Sequence, residues 1–574
     1  MRLEPARLFR IALAASLTVS ALLFFAWSWR WPLVGDASLI HYIAFLIERG
    51  MAPYRDLGDM NMPGSYLIEM AAMHLFGMGD LAWRCFDFTL LGLASASFFL
   101  IARPGPAGGP SFPALPERVG SGAPSQPKWR SLAALFASSL FILIHGRDGL
   151  AQGGQRDLTM AVCLLAATAF LFLAVRRDAP RRGHRLTPSH VPWAAAVFGL
   201  LSGVAVTIKP TALPLTLVQM ALALAAVRRS RRTEAPRAWL RYVVPAALAY
   251  LVAPAVALAF LLRQRALGAF LESFRGIVPY YAGLGHRPLG FVLLHSISPL
   301  QPLVLLWLAV LTLGAGSFDR TRDWTRNLTR DWERNCLLAG ALFGLAACVG
   351  QQRALPYYRY PLLAFLLPLL ALDLTSTLES DATRTLRSRA ARTLAIAALC
   401  FGGFFLAPQS AVLIHRYRWW ETDFIASLEH NLNVLGGPAL SGRIQCIDSI
   451  SGCGTVLYRM RLMPATGVLS DFLLFGPASA PIVRQTRAQF SAALLAHPPQ
   501  VIVVTSYLHL DGLDAYLKLN RWPSFEAWLA ANYTLQTEWS PSRTARWWSR
   551  EEAPASYRIY VLRRSPASLR GPNP

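Results

Sequence analysis

Charged side chains are scarce in this chain, so the positions they occupy carry chemical information. They make up 15% of its 574 residues, and lysine occurs only at Lys128, Lys209 and Lys518 although Lys+Arg is 56. One acidic residue stands in Gly35-Asp36-Ala37-Ser38, ahead of a segment with apolar Leu39, Ile43, Leu46 and Ile47 at helical spacing. That segment is too short and too polar to cross a bilayer and suits the membrane interface. A carboxylate there can take a proton from a reacting hydroxyl, or it can cap the helix that follows. Farther on, Pro53-Tyr54-Arg55-Asp56-Leu57-Gly58-Asp59 adds three more ionisable groups. A second acidic residue closes Gln155-Arg156-Asp157 at the start of an apolar run. It too reads either as a cap or as a partner of Asp36, one serving as base and the other as a metal or substrate ligand.

The cations divide in the same way. Lys209 lies in Val206-Thr207-Ile208-Lys209-Pro210-Thr211, between two apolar runs. It can snorkel to the interface, or it can act as a point charge on phosphate. Gln351-Gln352-Arg353-Ala354-Leu355-Pro356-Tyr357-Tyr358-Arg359-Tyr360-Pro361 sets two arginines among three tyrosines. This is the composition of an aromatic belt with anchors, and equally of a cradle in which arginine forks grip a phosphate. The stretch 263–296, with Glu272, Arg275, Tyr280, Tyr281, His286 and Arg287, reads as structural.

The elements that must position these groups follow from composition. Residues are 54% hydrophobic and the mean hydropathy is +0.36. A soluble globular chain carries about 25% charged residues. A soluble enzyme, a disordered tail and a fibrous repeat are therefore excluded. A span needs about 20 apolar residues, and about eleven such runs occur. They lie near 9–29, 84–102, 131–145, 158–175, 193–208, 211–227, 242–262, 298–315, 336–350, 361–374 and 393–414. The first ends in bulky Trp27-Ser28-Trp29-Arg30-Trp31 without a small-residue cleavage site, so it reads as a retained span and not a signal peptide.

Arginines set the orientation. Arg2, Arg7 and Arg10 precede the first span, and clusters follow the even-numbered ones: Arg176, Arg177, Arg181 and Arg182, then Arg228, Arg229, Arg231 and Arg232. Arg320, Arg322, Arg326 and Arg330, then Arg384, Arg387, Arg389 and Arg392, continue the series. The positive-inside rule then places the N-terminus in the cytoplasm and residues after 414 outside. The net charge of +24 is mostly topogenic, and nucleic-acid binding is not expected. The expected organisation is a multispan catalytic domain, 1–414, with an outer loop at 30–83. It contains a Pro/Gly/Ser-rich linker at 103–130 and is followed by an extracytoplasmic α/β domain, 415–574. Cys446 and Cys453 lie seven apart in that outer domain, where a disulfide persists. The other five cysteines sit in or beside spans and read as packing residues.

The order of these motifs resembles that of the C-type (GT-C) integral membrane glycosyltransferases, over about residues 1–414. The branch it is most similar to includes bacterial protein mannosyltransferases and lipid A aminoarabinose transferases (glycosyltransferase families 39 and 83). The resemblance rests on Asp36 opening the first outer loop, Pro53-Tyr54-Arg55-Asp56 with Asp59 and Pro63, Gln155-Arg156-Asp157, Lys209-Pro210 and Tyr357-Tyr358-Arg359-Tyr360-Pro361. It implies a polyprenyl-phosphate-linked sugar as donor. The acceptor would be an envelope lipid, glycan or protein, reached on the outer face of a bacterial inner membrane. Asp36 would be the base and Asp157 the second catalytic carboxylate. Lys209, Arg353, Arg359, Tyr357 and Tyr358 would bind the donor phosphate, and Arg55, Asp56, Asp59 and Arg156 the rest of the substrate. Relatives often carry an acidic pair at the first position, whereas Ala37 follows Asp36 here. A divalent metal (Mg or Mn) on Asp36 and Asp157 is thereby less well supported. A transporter or flippase of envelope lipids is the competing class, and a non-catalytic scaffold another. Transporters favour mid-membrane polar sites and internal repeats, which this pattern lacks.

The orientation is testable. Alkaline phosphatase fused after His415 should be active and green fluorescent protein at the same point dark. The reverse pair of signals would invert the assignment.

Overall fold

The computed structural model describes residues 4–103, 128–178, 190–230, 239–314, 331–379, 385–417, 423–509, 511–541 and 555–563. Most of the linker expected at 103–130 lies outside them. Among the described residues ten helices are long and apolar enough to cross a membrane. An eleventh results if Leu289–Ser296 and Gln301–Leu313, bent by 82°, form one span. Every run read from hydropathy has its helix. The span expected at 298–315 is this bent pair, because Pro299 lacks the N–H that a continuous helix needs. The chain is an α-helical polytopic membrane protein with a small C-terminal α/β domain.

It forms two compact units. The first contains Met1–Trp29, Cys85–Val256 and Arg287–Arg418; the second contains Arg30–Arg84, Ala257–His286 and Trp419–Pro574. The loop 30–83 thus groups with the C-terminal residues and is joined to them by Tyr42 OH donating to the Leu462 carbonyl at 2.9 Å. Gly58 N–H likewise donates to the Gly467 carbonyl at 3.2 Å.

In the first unit the helix Tyr360–Glu379 is central, and every residue from Tyr360 to Thr375 is buried. A helix apolar on all sides has no face to offer water, so neighbours surround it. Helix Trp332–Gln351 packs on it through Gly340 and Gly344, where a Cβ would collide with Phe365 and the Leu362 backbone. Small residues four apart allow this approach, and close packing holds helices together where lipid supplies no hydrophobic drive. Charges inside the unit are paired. Arg176 forks onto Glu333 at 2.7 Å and donates to the Leu100 and Ile101 carbonyls. Arg334 forks onto Asp373 at 2.9 Å, and Trp307 Nε1 donates to the same carboxylate.

In the second unit, helices Gly35–Glu48 and Pro63–Phe76 are followed in sequence by Leu267–Ala282 and the C-terminal domain. That domain has strands β1 (Ile444–Ile447), β2 (Val501–Thr505), β3 (Tyr507–Leu508), β4 (Gly512–Leu513), β5 (Tyr533–Trp539) and β6 (Tyr557–Leu562). The main sheet runs β1-β2-β6-β5, parallel between β1 and β2 and antiparallel elsewhere. Phe490, Leu494, Trp522, Phe525 and Trp528 pack with Ile502 and Val504 as its core. Lys518 is fully buried and satisfied by Asp471 and the Ile447 and Tyr507 carbonyls. Cys446 and Cys453 form a disulfide with 6.1 Å between Cα atoms.

Breaking the Arg176–Glu333 pair should be costly. Glu333→Ala leaves a buried guanidinium without its counter-ion, a loss of about 3 kcal/mol. In detergent its thermal midpoint should fall well below that of the double variant Arg176→Met/Glu333→Leu.

Candidate functional site

In the first unit the short loop between spans Trp129–Arg147 and Arg156–Arg176 is tied at both ends by buried groups. At one end Asp148 receives the fork of Arg359, whose guanidinium also donates to the Ser298 carbonyl. Burial pushes the Asp148 carboxyl up from its ordinary value, and the Arg359 charge opposes that rise. At the other end Gly154 N–H donates to Asp87 Oδ1 at 2.7 Å. Asp87 Oδ2 is 3.2 Å from His145 Nε2, and His145 Nδ1 is 2.7 Å from the Tyr360 hydroxyl. Asp87, His145 and Tyr360 are all buried.

Past this loop, Asp157 lies in the first turn of helix Arg156–Asp178 and is 1% exposed. Its Oδ1 is 2.5 Å from Lys209 Nζ. Its Oδ2 is buried and accepts no hydrogen bond among the described residues. The Lys209 ammonium is also 3.5 Å from Gln351 Oε1 and 4.9 Å from the centroid of the Tyr358 ring. Arg353 Nη1 donates to the Tyr358 hydroxyl at 3.4 Å, and Tyr357 packs edge-on against the Tyr358 ring at 4.7 Å. Desolvation pulls the Lys209 ammonium below its ordinary pKa. The Asp157 charge holds it up, while the Arg156 and Arg353 charges add to the fall. Asp157, Lys209, Tyr358 and Arg353, far apart in sequence, therefore meet. Arg359, expected to bind the phosphate with them, has its fork on Asp148.

In the second unit Asp36 occupies the first turn of helix Gly35–Glu48, half-buried. The N-cap is Val34, without a side-chain cap bond, so Asp36 is not the cap. Its carboxylate sits at the positive end of the helix dipole. Arg55 and Asp56 satisfy each other through two 2.9 Å bonds, and Asp56 also accepts from Ala52 N–H. The Arg55 fork lowers the Asp56 carboxyl from its ordinary value. Asp59 is buried and accepts from Asn61 Nδ2 at 2.7 Å and from the Tyr66 hydroxyl. These three residues thus shape the loop around 52–66 with contacts of their own. His41 Nδ1 meets Glu69 Oε2 at 2.9 Å, both buried, and desolvation raises the Glu69 carboxyl although His41 opposes it.

Sequence reading passed over Asp87, His145 and Asp148, and over the pairing of His41 with Glu69. A signal existed for the first two: ionisable residues inside apolar helices are functional or structural fixtures by default. Among the described residues no group of three or more His, Cys, Asp or Glu side chains is placed to hold a metal. Lys209 pairs with one oxygen of Asp157, the carboxylate considered above for a divalent metal.

The architecture defines a class: a multispan helical membrane protein with a helix in the loop after its first span, a C-terminal α/β domain and a paired Asp–Lys at the ends of its spans. The fold is that of the GT-C membrane glycosyltransferases. It is similar to the apo crystal structure of ArnT, an aminoarabinose transferase, from Cupriavidus metallidurans, with TM-score 0.54, 13% identity, and coverage of 95% of this chain and 97% of that chain. The crystal structure of the same protein bound to undecaprenyl phosphate aligns with TM-score 0.51 and 13% identity, over 97% of this chain and 98% of that one. The apo oligosaccharyltransferase from Archaeoglobus fulgidus aligns at 0.48 with 14% identity, over 86% of this chain and 69% of that one. No protein-family model and no curated protein matches the chain.

Replacing Asp157 should expose how strongly it holds the lysine. In Asp157→Asn the ammonium loses its counter-charge while burial remains, so its pKa should drop further. The titration of the Lys209 ammonium, followed by nitrogen-15 NMR of lysine-labelled protein in detergent, should then move to lower pH than in wild type. An unmoved titration would show that Asp157 does not hold the lysine protonated.

Proposed function

We propose that this protein transfers a sugar from a polyprenyl-phosphate-linked donor to an envelope lipid, glycan or protein acceptor, on the outer face of a bacterial inner membrane. The observation that carries the reading is the half-buried Lys209 ammonium set among Asp157, Gln351 and Tyr358, with Arg353 on the same tyrosine. Two cations beside an aromatic ring suit a lipid-linked phosphate, a class of ligand that ArnT binds as undecaprenyl phosphate.

In this scheme the Asp36 carboxylate takes the proton of the acceptor hydroxyl. The freed oxygen attacks the anomeric carbon as that carbon's bond to phosphate oxygen breaks. The polyprenyl phosphate departs with the electron pair, and the single displacement inverts the anomeric centre. Lys209 and Arg353 stabilise charge that grows on the leaving phosphate, which is worth most where water is excluded. Asp157 keeps Lys209 protonated and aimed, and its second oxygen has acceptor capacity for a sugar hydroxyl. The Asp148–Arg359 and Asp87–His145–Tyr360 contacts hold the loop that precedes it. No step is routed through a metal.

A deletion strain complemented with wild type or Asp36→Asn tests the assignment. Mass spectrometry of lipid-linked sugars and envelope glycans should show the donor accumulating and the product reduced at least ~10²-fold with the variant, as loss of a general base predicts. A variant that restores the glycan at the normal rate removes Asp36 as base. A deletion that changes no glycan favours the transporter or scaffold class.

A further inference from the structure

The scheme above leaves the C-terminal domain without a part in the chemistry, yet one of its short helices grips the segment that carries Asp36. Helix Cys453–Arg459 ends in Arg459, which forms an ion pair with Asp80 Oδ2. The other oxygen of Asp80 accepts the Leu33 N–H at 3.0 Å, three residues before Asp36. The Tyr458 ring stands edge-on to His41 at 4.9 Å and to Phe45 at 5.8 Å. Just past the helix, the Leu462 carbonyl accepts from Tyr42 OH at 2.9 Å. The Arg461 guanidinium lies 4.8 Å from the Tyr458 ring centroid and 5.8 Å from that of Phe45. Helix Gly35–Glu48 is thus held at its approach and along its buried face.

The far end of the gripping helix is fixed to the sheet. Cys453 is its first residue and is disulfide-bonded to Cys446 on β1. The Cys453 N–H donates to Asp448 Oδ2 at 3.1 Å, and Asp448 Oδ1 accepts from Thr505 Oγ1 of β2 at 3.1 Å. A covalent and hydrogen-bonded path therefore runs from the sheet to the residues that set where Asp36 stands.

We propose that helix Cys453–Arg459 positions Asp36 for reaction, with Arg459 and Tyr458 as positioning residues and the Cys446–Cys453 disulfide as the anchor. The proposal rests on the reading of Asp36 as base. It gives the C-terminal domain a role in the rate of transfer, beyond any role in choosing the acceptor. The chemistry is sensitive to such a device, because a misplacement of about 1 Å can cost ~10²-fold in rate.

The test uses the full-length protein in lipid nanodiscs and the complemented deletion strain. Variants are Arg459→Gln, Arg459→Lys, Cys446→Ser/Cys453→Ser and, in parallel, Asp36→Asn. Arg459→Gln and the double serine variant should speed amide hydrogen exchange in residues 33–48 by about 10-fold while β2 and β6 keep their protection. Product formation should fall by a similar ~10-fold, undecaprenyl phosphate binding should hold, and Arg459→Lys should restore most of the rate. A purely structural helix would instead loosen the whole sheet or leave residues 33–48 unchanged, and either result overturns the proposal. Wild-type product formation by Arg459→Gln, where Asp36→Asn abolishes it, overturns the positioning role and leaves the base assignment standing. Full activity of Asp36→Asn removes both.

Discussion

A bilayer core holds no water to solvate a charge, so each ionisable side chain in this protein must find its partner within the protein. The Lys209–Asp157 pair shows what that constraint produces. Either group alone at the end of a span would be strongly penalised, and together they form a fixed dipole with one carboxylate oxygen left over. The same rule places Glu333 on Arg176 and Asp373 on Arg334, where the result is mechanical and helix ends are locked. It also sets the fork of Arg359 on Asp148.

The segment around Asp36 obeys a different physics. Helix Gly35–Glu48 is a mixed helix whose buried residues, Tyr42, Ile43, Phe45 and Leu46 among them, extend around most of its surface. Such a helix has no stable position by itself, and its place is set by whatever covers it. Here the cover includes Pro63–Phe76 on one side, through His41–Glu69, and residues 458–462 on another. The base proposed here, a carboxylate that must reach a hydroxyl at hydrogen-bond distance, is well served by a helix held at several points.

Much of the fold was legible in the sequence. Hydropathy and the excess of arginines after alternate spans need only local composition, and each of the apolar runs became a helix. The strands Val501–Thr505 and Tyr557–Leu562 and the helix Pro481–Ala496 have local patterns that mark them in the sequence. Strands β1 and β5 did not, since Ile444–Ile447 is too short to show a period and Tyr533–Trp539 is polar along its exposed edge. The bend near Pro299 was written in the sequence as a proline, but its angle depends on what packs against it.

The candidate site divides along the same line. Residue type and rarity singled out Asp36, Asp157, Lys209, Arg353 and Arg359, because a lone lysine or aspartate among apolar runs is informative without any coordinates. Sequence could not show that the Arg359 fork is engaged by Asp148. It also could not show that Arg55 and Asp56 satisfy each other, or that the loop 30–83 belongs to the unit that holds the C-terminal residues. Those outcomes depend on which opposite charge or hydroxyl lies within about 3 Å, a range set by hydrogen-bond geometry. Partners such as Asp148 for Arg359 and Leu462 for Tyr42 come from distant parts of the chain. Local pattern determined which groups must be paired in a medium without water; only the tertiary structure decided with whom.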